Sequence, residues 1–271
     1  MMTALIVYMY PNAISYFDQL CTSILAQTDQ NFEVIFFNDN VSNSIFQKLP
    51  FKNTVIPIEG SPLEIRFKSF KILKTVSFDQ FIFLDADDTM TENRIAVIKE
   101  KLKSVVMMSN DLNLMDESGG VFEEKIWKER LSEGYSFNYS FIEDKNIVGL
   151  GNTGFRKELL ESSLTYNSTP LIADWFIFYQ LLKNSGHICS FTSDCQTNYR
   201  QHEDNDAGIR ELTANRLSFV IKAVNRQNQA INEIHMGKLS PVQAKYNRKI
   251  IYTKHNFPFW WEEISINNAN I

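Results

Sequence analysis

Between Leu5 and Met108 the chain switches repeatedly between short apolar runs and helical patterns, and few folds accommodate that rhythm. Leu5–Tyr8, Phe32–Phe37, Thr54–Ile58, Gln80–Leu84 and Val105–Met108 read as strands, rich in β-branched and aromatic residues. Between them, Tyr16, Phe17, Leu20, Ile24 and Leu25 recur at helical spacing, as do Ile65, Phe70 and Leu73, and Ile95, Ile98 and Leu102. Pro11 and Asn12 break the first strand, and Asn12 or Ser15 is placed to cap the first helix. Ser61-Pro62 opens the second helix, and Thr91 is expected to cap the third. Strand and helix in alternation imply a mostly parallel sheet covered by helices. The apolar run from Phe81 to Leu84 predicts a strand buried on both faces. In open sheets of this kind ligands bind at the carboxyl ends of the strands, where Asp39 and Asp85–Asp88 lie.

Beyond residue 116 the pattern loosens. Gly119-Gly120 reads as a turn, and the mixed aromatic and charged stretch from Lys125 to Tyr139 reads as loops near a second substrate. Gly149–Gly154 reads as a glycine-rich bend, Arg156–Ser162 and Asp174–Lys183 as helices, and His187–Phe191 as a strand, with Tyr199 near another. After Gly208 a polar helical pattern continues to about Ile251. The domain reading is 1–208, in two halves (1–110 and 111–208), with a helical extension over 209–271. Net charge is −5, without the basic excess of a nucleic-acid binder. The three cysteines form no CxxC pair, which favours reduced thiols in the cytoplasm over disulfides or structural zinc. The first residues read as a strand, not a signal peptide, and no run reaches the roughly 18 apolar residues of a membrane-spanning helix. Oligomeric state is left open.

The sharpest chemical signal is Phe81-Ile82-Phe83-Leu84-Asp85-Ala86-Asp87-Asp88, an apolar strand delivering carboxylates to a loop. If strand geometry persists, Asp85 and Asp87 point to one side. A hard cation such as Mg²⁺ commonly takes one or two carboxylates plus substrate phosphates, so the spacing suits a metal bridging protein and diphosphate. A solvated acidic turn is the plainer alternative. The same residues also resemble the nucleophile motif of haloacid dehalogenase-type phosphatases, with Asp85 as nucleophile and Asp87 as acid. Asp88 stands where that family has glycine, and its motif usually opens the first strand.

Four blocks, in order, resemble the family 2 glycosyltransferases of the GT-A fold. They are Tyr10-Pro11-Asn12 with Ser23-Ile24-Leu25-Ala26-Gln27-Thr28; Phe32-Glu33-Val34-Ile35-Phe36-Phe37-Asn38-Asp39-Asn40; Asp85-Ala86-Asp87-Asp88; and a C-terminal block. The last contains Gly151-Asn152-Thr153-Gly154-Phe155-Arg156-Lys157, Ala173-Asp174-Trp175 and Tyr199-Arg200-Gln201-His202-Glu203. The Asp-Trp and Tyr-Arg-Gln-His wording is similar to rhamnosyltransferase-type members that build bacterial surface polysaccharides. The resemblance implies a Rossmann-like, mixed but mostly parallel sheet flanked by helices. It also implies inverting transfer from a UDP- or dTDP-type sugar to a glycan or lipid-linked glycan acceptor, with Mn²⁺ or Mg²⁺.

Carried over residue by residue, the resemblance puts Tyr10, Asn12, Asp39, Arg66, Asp85 and Arg200 at the nucleotide. Asp87, with Asp85 and His202, is put at the metal, and Asp88 behind them. Asn38 replaces the family's usual aspartate, which suggests altered base recognition. Asp174 matches the general base, although Ala173 stands where glutamate is usual. Arg200 and His202 suit a diphosphate leaving group, and Asp204–Gly208 suits a lid. Trp175 reads as packing, with acceptor stacking as the alternative. Phe257–Trp261, preceded by Lys245, Arg248, Lys249 and Lys254, either folds back or touches the inner face of a membrane. The competing functions are a GT-A-like nucleotidyltransferase, a non-catalytic sugar-binding domain and the phosphatase. The stretch from Tyr8 to Ser15 lacks the glycine and lysine expected of the first of these.

Overall fold

The computed structural model describes residues 1–143, 145–202 and 214–234. Ten strands form one sheet: β1 (Thr3–Met9), β2 (Glu33–Asn38), β3 (Asn53–Pro57), β4 (Gln80–Asp85), β5 (Thr89–Met90), β6 (Met107–Met115), β7 (Val121–Glu123), β8 (Ser136–Phe137), β9 (Thr153–Arg156) and β10 (Cys189–Arg200). The α-helices are α1 (Phe17–Leu25), α2 (Pro62–Leu73), α3 (Arg94–Lys101), α4 (Ala173–Ser185) and α5 (Ala214–Ile234).

The strand order is β3-β2-β1-β4-β9-β6-β10-β5. The first four run parallel, as the alternation predicted. Successive residues of β1 feed opposite faces. Ala4, Ile6 and Tyr8 pack with α2 and α4, whereas Leu5, Val7 and Met9 pack with α1 and α3. Burial on both faces explains why β1 and most of β4 carry so few polar residues. This is a mixed, mostly parallel sheet sandwiched between helices, the GT-A architecture. The sheet continues without a break across residues 110 and 111 through β6, β9 and β10.

Several local expectations change. The first helix is entered through a 3₁₀ turn, Pro11–Tyr16, and α1 has no side-chain cap, so neither Asn12 nor Ser15 caps it. Thr91 does not cap α3, whose N-cap position is Asn93; the Thr91 hydroxyl accepts from the Gln196 amide (3.0 Å) and donates to Asn93 Oδ1 (3.0 Å). Ser61 does cap α2, in a reciprocal box with Glu64. Residues 149–154 are more than a bend, since they lead into β9, which inserts antiparallel between β4 and β6. Gly154 makes that insertion fit, because a Cβ there would lie 2.7 Å from Ile98 Cγ2. The expected helix at Arg156–Ser162 is a 3₁₀ turn, Lys157–Glu161. Trp175 is buried at 1% exposure with its indole donating to the Ile142 carbonyl, so it packs and cannot stack on an acceptor. The stretches Asp204–Gly208 and Phe257–Trp261 lie outside the described residues.

Candidate functional site

The carboxyl ends of β1, β2 and β4 open into a cleft of about 440 Å³. Tyr10, Asn12, Asp39, Arg66, Asp85, Asp87, Asp174 and His202 all line it. Residues from opposite ends of the chain therefore meet in one cavity.

On the β2 side, the Asp39 amide donates to the Met9 carbonyl (2.8 Å), tying the two strand ends together. Asn40 then takes the left-handed conformation (φ 62°), and its amide donates to Asp39 Oδ1 (2.9 Å). Asn38 does not face the cleft. Its side chain accepts from the Val41 amide (2.9 Å) and donates to the Val41 carbonyl (2.8 Å) and Asn43 Oδ1 (3.1 Å). Asn38 thus shapes the loop behind Asp39.

Arg66 projects from α2 with its guanidinium 3.7 Å from the centre of the Tyr8 ring. That ring is fixed by a hydrogen bond between its hydroxyl and Ser69 Oγ (2.6 Å) and by stacking on Phe37. Arg66 is therefore held at the cleft, its positive charge acting on both Asp85 and Asp174.

The acidic loop departs from the strand geometry expected of it. β4 ends at Asp85, and the Asp88 amide turns back to the Asp85 carbonyl (3.1 Å). Asp85 meets the cleft as the last residue of β4, and Asp87 reaches it through this turn and not through strand alternation. Asp88 points away, accepting from the Arg200 amide (2.8 Å) at 2% exposure. Burial, and then the neighbouring Asp87, push the Asp85 carboxyl up to about 7, against the pull of Arg66 and Arg94. Burial pushes Asp88 well above the usual carboxylate range as well, again reinforced by Asp87 and Asp85.

Behind the loop lies Arg94, fully buried. It donates to Asn110 Oδ1 (2.8 Å), the Phe83 carbonyl (2.8 Å) and the Gly151 carbonyl (3.0 Å). Sequence reasoning missed it, because an arginine in the first turn of an amphipathic helix reads as a solvated surface residue.

Asp174 sits in the first turn of α4, where the helix dipole favours a carboxylate, and its Oδ2 accepts from the Leu150 amide (3.1 Å). Burial nevertheless raises its pKa, with Leu150 and Arg66 opposing. His202 follows β10, its Nε2 2.9 Å from Asp87 Oδ2 and its ring stacked on Tyr16.

Arg200 was expected at the nucleotide, but it is fully buried and is not part of the cleft wall. Its guanidinium donates to the Asp87 carbonyl (2.6 Å), the Asp116 and Glu117 carbonyls (3.2 and 2.8 Å) and Gln19 Oε1 (2.7 Å). It clamps the acidic loop to α1 and to the β6–β7 turn, and so sets His202 against Asp87.

Among the described residues no three His, Cys, Asp or Glu side chains converge into a preformed cation cage. The crowded carboxylates do fit a hard cation that completes its shell with substrate phosphate, since such an ion needs only one or two of them.

No protein-family model matches this chain, and no curated protein matches its sequence. Its fold is shared with S. aureus TarS. The crystal structure of TarS 1-349 superposes with a TM-score of 0.55 at 16% identity, covering 90% of this chain and 77% of that one. The complex of TarS 1-349 with UDP-GlcNAc gives 0.57 at 15% identity over 92% of this chain and 77% of that one. The longer TarS structure gives 0.54 at 16% identity, covering 92% of this chain and 46% of its own length.

Proposed function

We propose that this chain is an inverting family 2-type glycosyltransferase that moves a sugar from a UDP- or dTDP-type donor to a glycan hydroxyl. The observation that carries the reading is the meeting of Asp39, Asp85, Asp87 and Asp174 in one cleft, with the first three on the nucleotide half and Asp174 on a separate helix. The TarS fold and its complexes with UDP-GlcNAc and UDP support it.

In this reading Asp39 accepts hydrogen bonds from the base or ribose, beside Tyr10 and Asn12, and Arg66 faces the phosphates. Asp87, with Asp85 and His202, would hold Mn²⁺ or Mg²⁺ together with the donor diphosphate. A bound divalent ion supplies charge neutralisation to the departing nucleoside diphosphate. Asp174 takes the proton from the acceptor hydroxyl as its oxygen bonds to the anomeric carbon and the bond to the diphosphate breaks. Its orientation comes from the Leu150 amide, and its burial raises its affinity for that proton. The acceptor assigned here is a glycan or lipid-linked glycan of surface polysaccharide assembly, met in the cytoplasm at the inner membrane face. Among the described residues no helix is long and apolar enough to cross a membrane. The phosphatase alternative finds no support in a GT-A sheet whose acidic strand is fourth in the chain.

A thermal-shift panel of UDP, GDP, dTDP and CDP, each with and without Mn²⁺, tests the reading. One nucleoside diphosphate should stabilise the chain in a metal-dependent way, and Asp87→Ala should abolish the effect. Indifference to all four would refute it.

A further inference from the structure

Residues 149–152 touch two carboxylates that arrive from different parts of the fold. A Cβ built on Gly151 would lie 2.5 Å from Asp85 Oδ2, and one on Gly149 would lie 3.3 Å from Asp174 Oδ2. Neither glycine is explained by its backbone. Gly149 has φ −88° and ψ 163°, which any residue adopts, and Gly151 is not among the glycines of positive φ. What calls for glycine at 151 is the Asp85 carboxylate occupying the space of a side chain, and at 149 the close approach of Asp174. Between them the Leu150 amide donates to Asp174 Oδ2.

The segment is pinned from behind by buried groups. Asn152, at 4% exposure, accepts the Gly149 amide (2.8 Å) and donates to the Asn110 carbonyl (3.1 Å), Ser109 Oγ (3.2 Å) and the Ile147 carbonyl (3.3 Å). The Gly151 carbonyl receives Arg94 and the Thr197 hydroxyl (2.8 Å), and the Gly149 carbonyl receives the Thr153 hydroxyl (2.6 Å). A short 3₁₀ turn braced this heavily is a poor absorber of displacement, so Asp174, held by the Leu150 amide, and Asp85, packed against Gly151, are both seated against it.

We propose that residues 149–152 are a rigid spacer that fixes Asp85 and Asp174 relative to each other, with Asn152 as its positioning residue. In the glycosyltransferase reading, on which this role rests, the spacer sets the distance between the donor's diphosphate and the base that serves the acceptor. Reactions of this kind are steep in geometry, a misplacement of about 1 Å costing about 10²-fold in rate.

The two glycines allow a one-sided test, because alanine is compatible with both backbones and perturbs only the facing carboxylate. The full chain is labelled with ¹³C-aspartate, and carboxyl resonances are assigned through Asp85→Asn and Asp174→Asn and read at one fixed pH. Gly151→Ala should move the Asp85 resonance and spare Asp174. Gly149→Ala should move Asp174 and spare Asp85. Asn152→Ala should move both, and if that variant does not fold, the two glycine variants decide. Two folded glycine variants with neither resonance moved would overturn the spacer, as would an Asn152→Ala protein that shifts only one. Calorimetry with UDP, GDP, dTDP and CDP in Mn²⁺ separates this from the parent reading. Gly151→Ala should weaken nucleotide binding and Gly149→Ala should leave it unchanged. A resonance pattern as described in a chain that binds none of the four keeps the spacer and sinks the glycosyltransferase.

Discussion

Replacing Arg94 with methionine keeps much of the side chain's bulk while removing its charge and its donors. Asn110 Oδ1 would lose its guanidinium partner, and the Phe83 and Gly151 carbonyls would each lose one donor. Gly151 keeps the Thr197 hydroxyl, so only part of that loss is felt. A buried acceptor left without a partner costs about 1–3 kcal/mol, and each net hydrogen bond about 1. Asp85 and Asp88 would lose the cation behind them, whose charge acts on both. Removing the buried guanidinium also removes its own desolvation cost, which holds the net loss near the ~3–5 kcal/mol typical of breaking a buried charge pair. For a chain of this size that corresponds to a fall of about 6–20 °C in Tm. Urea and thermal melts of the full chain at pH 5.5 and pH 8 would measure it. Arg94 is lowered by burial to about 10 and stays charged at both pH values. Asp85, raised to about 7, is largely neutral at the lower one. The loss should therefore be larger at pH 8. A loss below about 1 kcal/mol, equal at the two pH values, would refute the view that Arg94 balances the acidic loop.

Two further outcomes follow from the raised carboxylates. Asp85 binds its proton more tightly folded than unfolded, so between the ordinary value of 3.8 and about 7 the folded state holds more protons. Stability of the metal-free protein should then fall as pH rises through that window, by up to a few kcal/mol, and Asp85→Asn should flatten the dependence in urea melts. A metal-free stability that rises over the same window would contradict the burial argument. Asp174→Asn should retain nucleotide affinity by calorimetry and lose about 10²–10⁴-fold in turnover. In the wild type, turnover should fall as pH drops through the raised Asp174 value, because the base is then protonated. Full turnover in Asp174→Asn would remove it as the base.

Much of the N-terminal half, residues 1–110, was legible because its signals are local. β1, β2, β4 and α2 announce themselves through runs, spacing and a Ser-Pro start, and Asp39 and Asp85 stand where parallel strands end. Asp87 came to the cleft by a route the sequence did not suggest, a turn, because the Asp88 amide finds its partner in Asp85. Arg200 was misplaced for a related reason. A basic residue two positions from a histidine reads as an anion contact, whereas in the fold its guanidinium donates to the carbonyls of residues 87, 116 and 117 and to Gln19 Oε1, contacts invisible to any pattern. Arg94 and Asn152 escaped notice because burial of a polar residue is decided by what folds over it. Asn38 shows the converse, a substitution that looked functional and instead stitches a turn.

The antiparallel insertion of β9 also bears on how the molecule is assembled. Gln80, Phe81 and Ile82 find their second neighbour in Arg156, Phe155 and Gly154, far along the chain. A ribosome that has released only residues 1–110 leaves one side of β4 with an unpaired row of amides and carbonyls, the kind of edge that recruits other chains. Closing so long a loop before any pairing is rewarded makes for slow completion. The part of the chain that first looks finished is thus in need of a strand synthesised some seventy residues later.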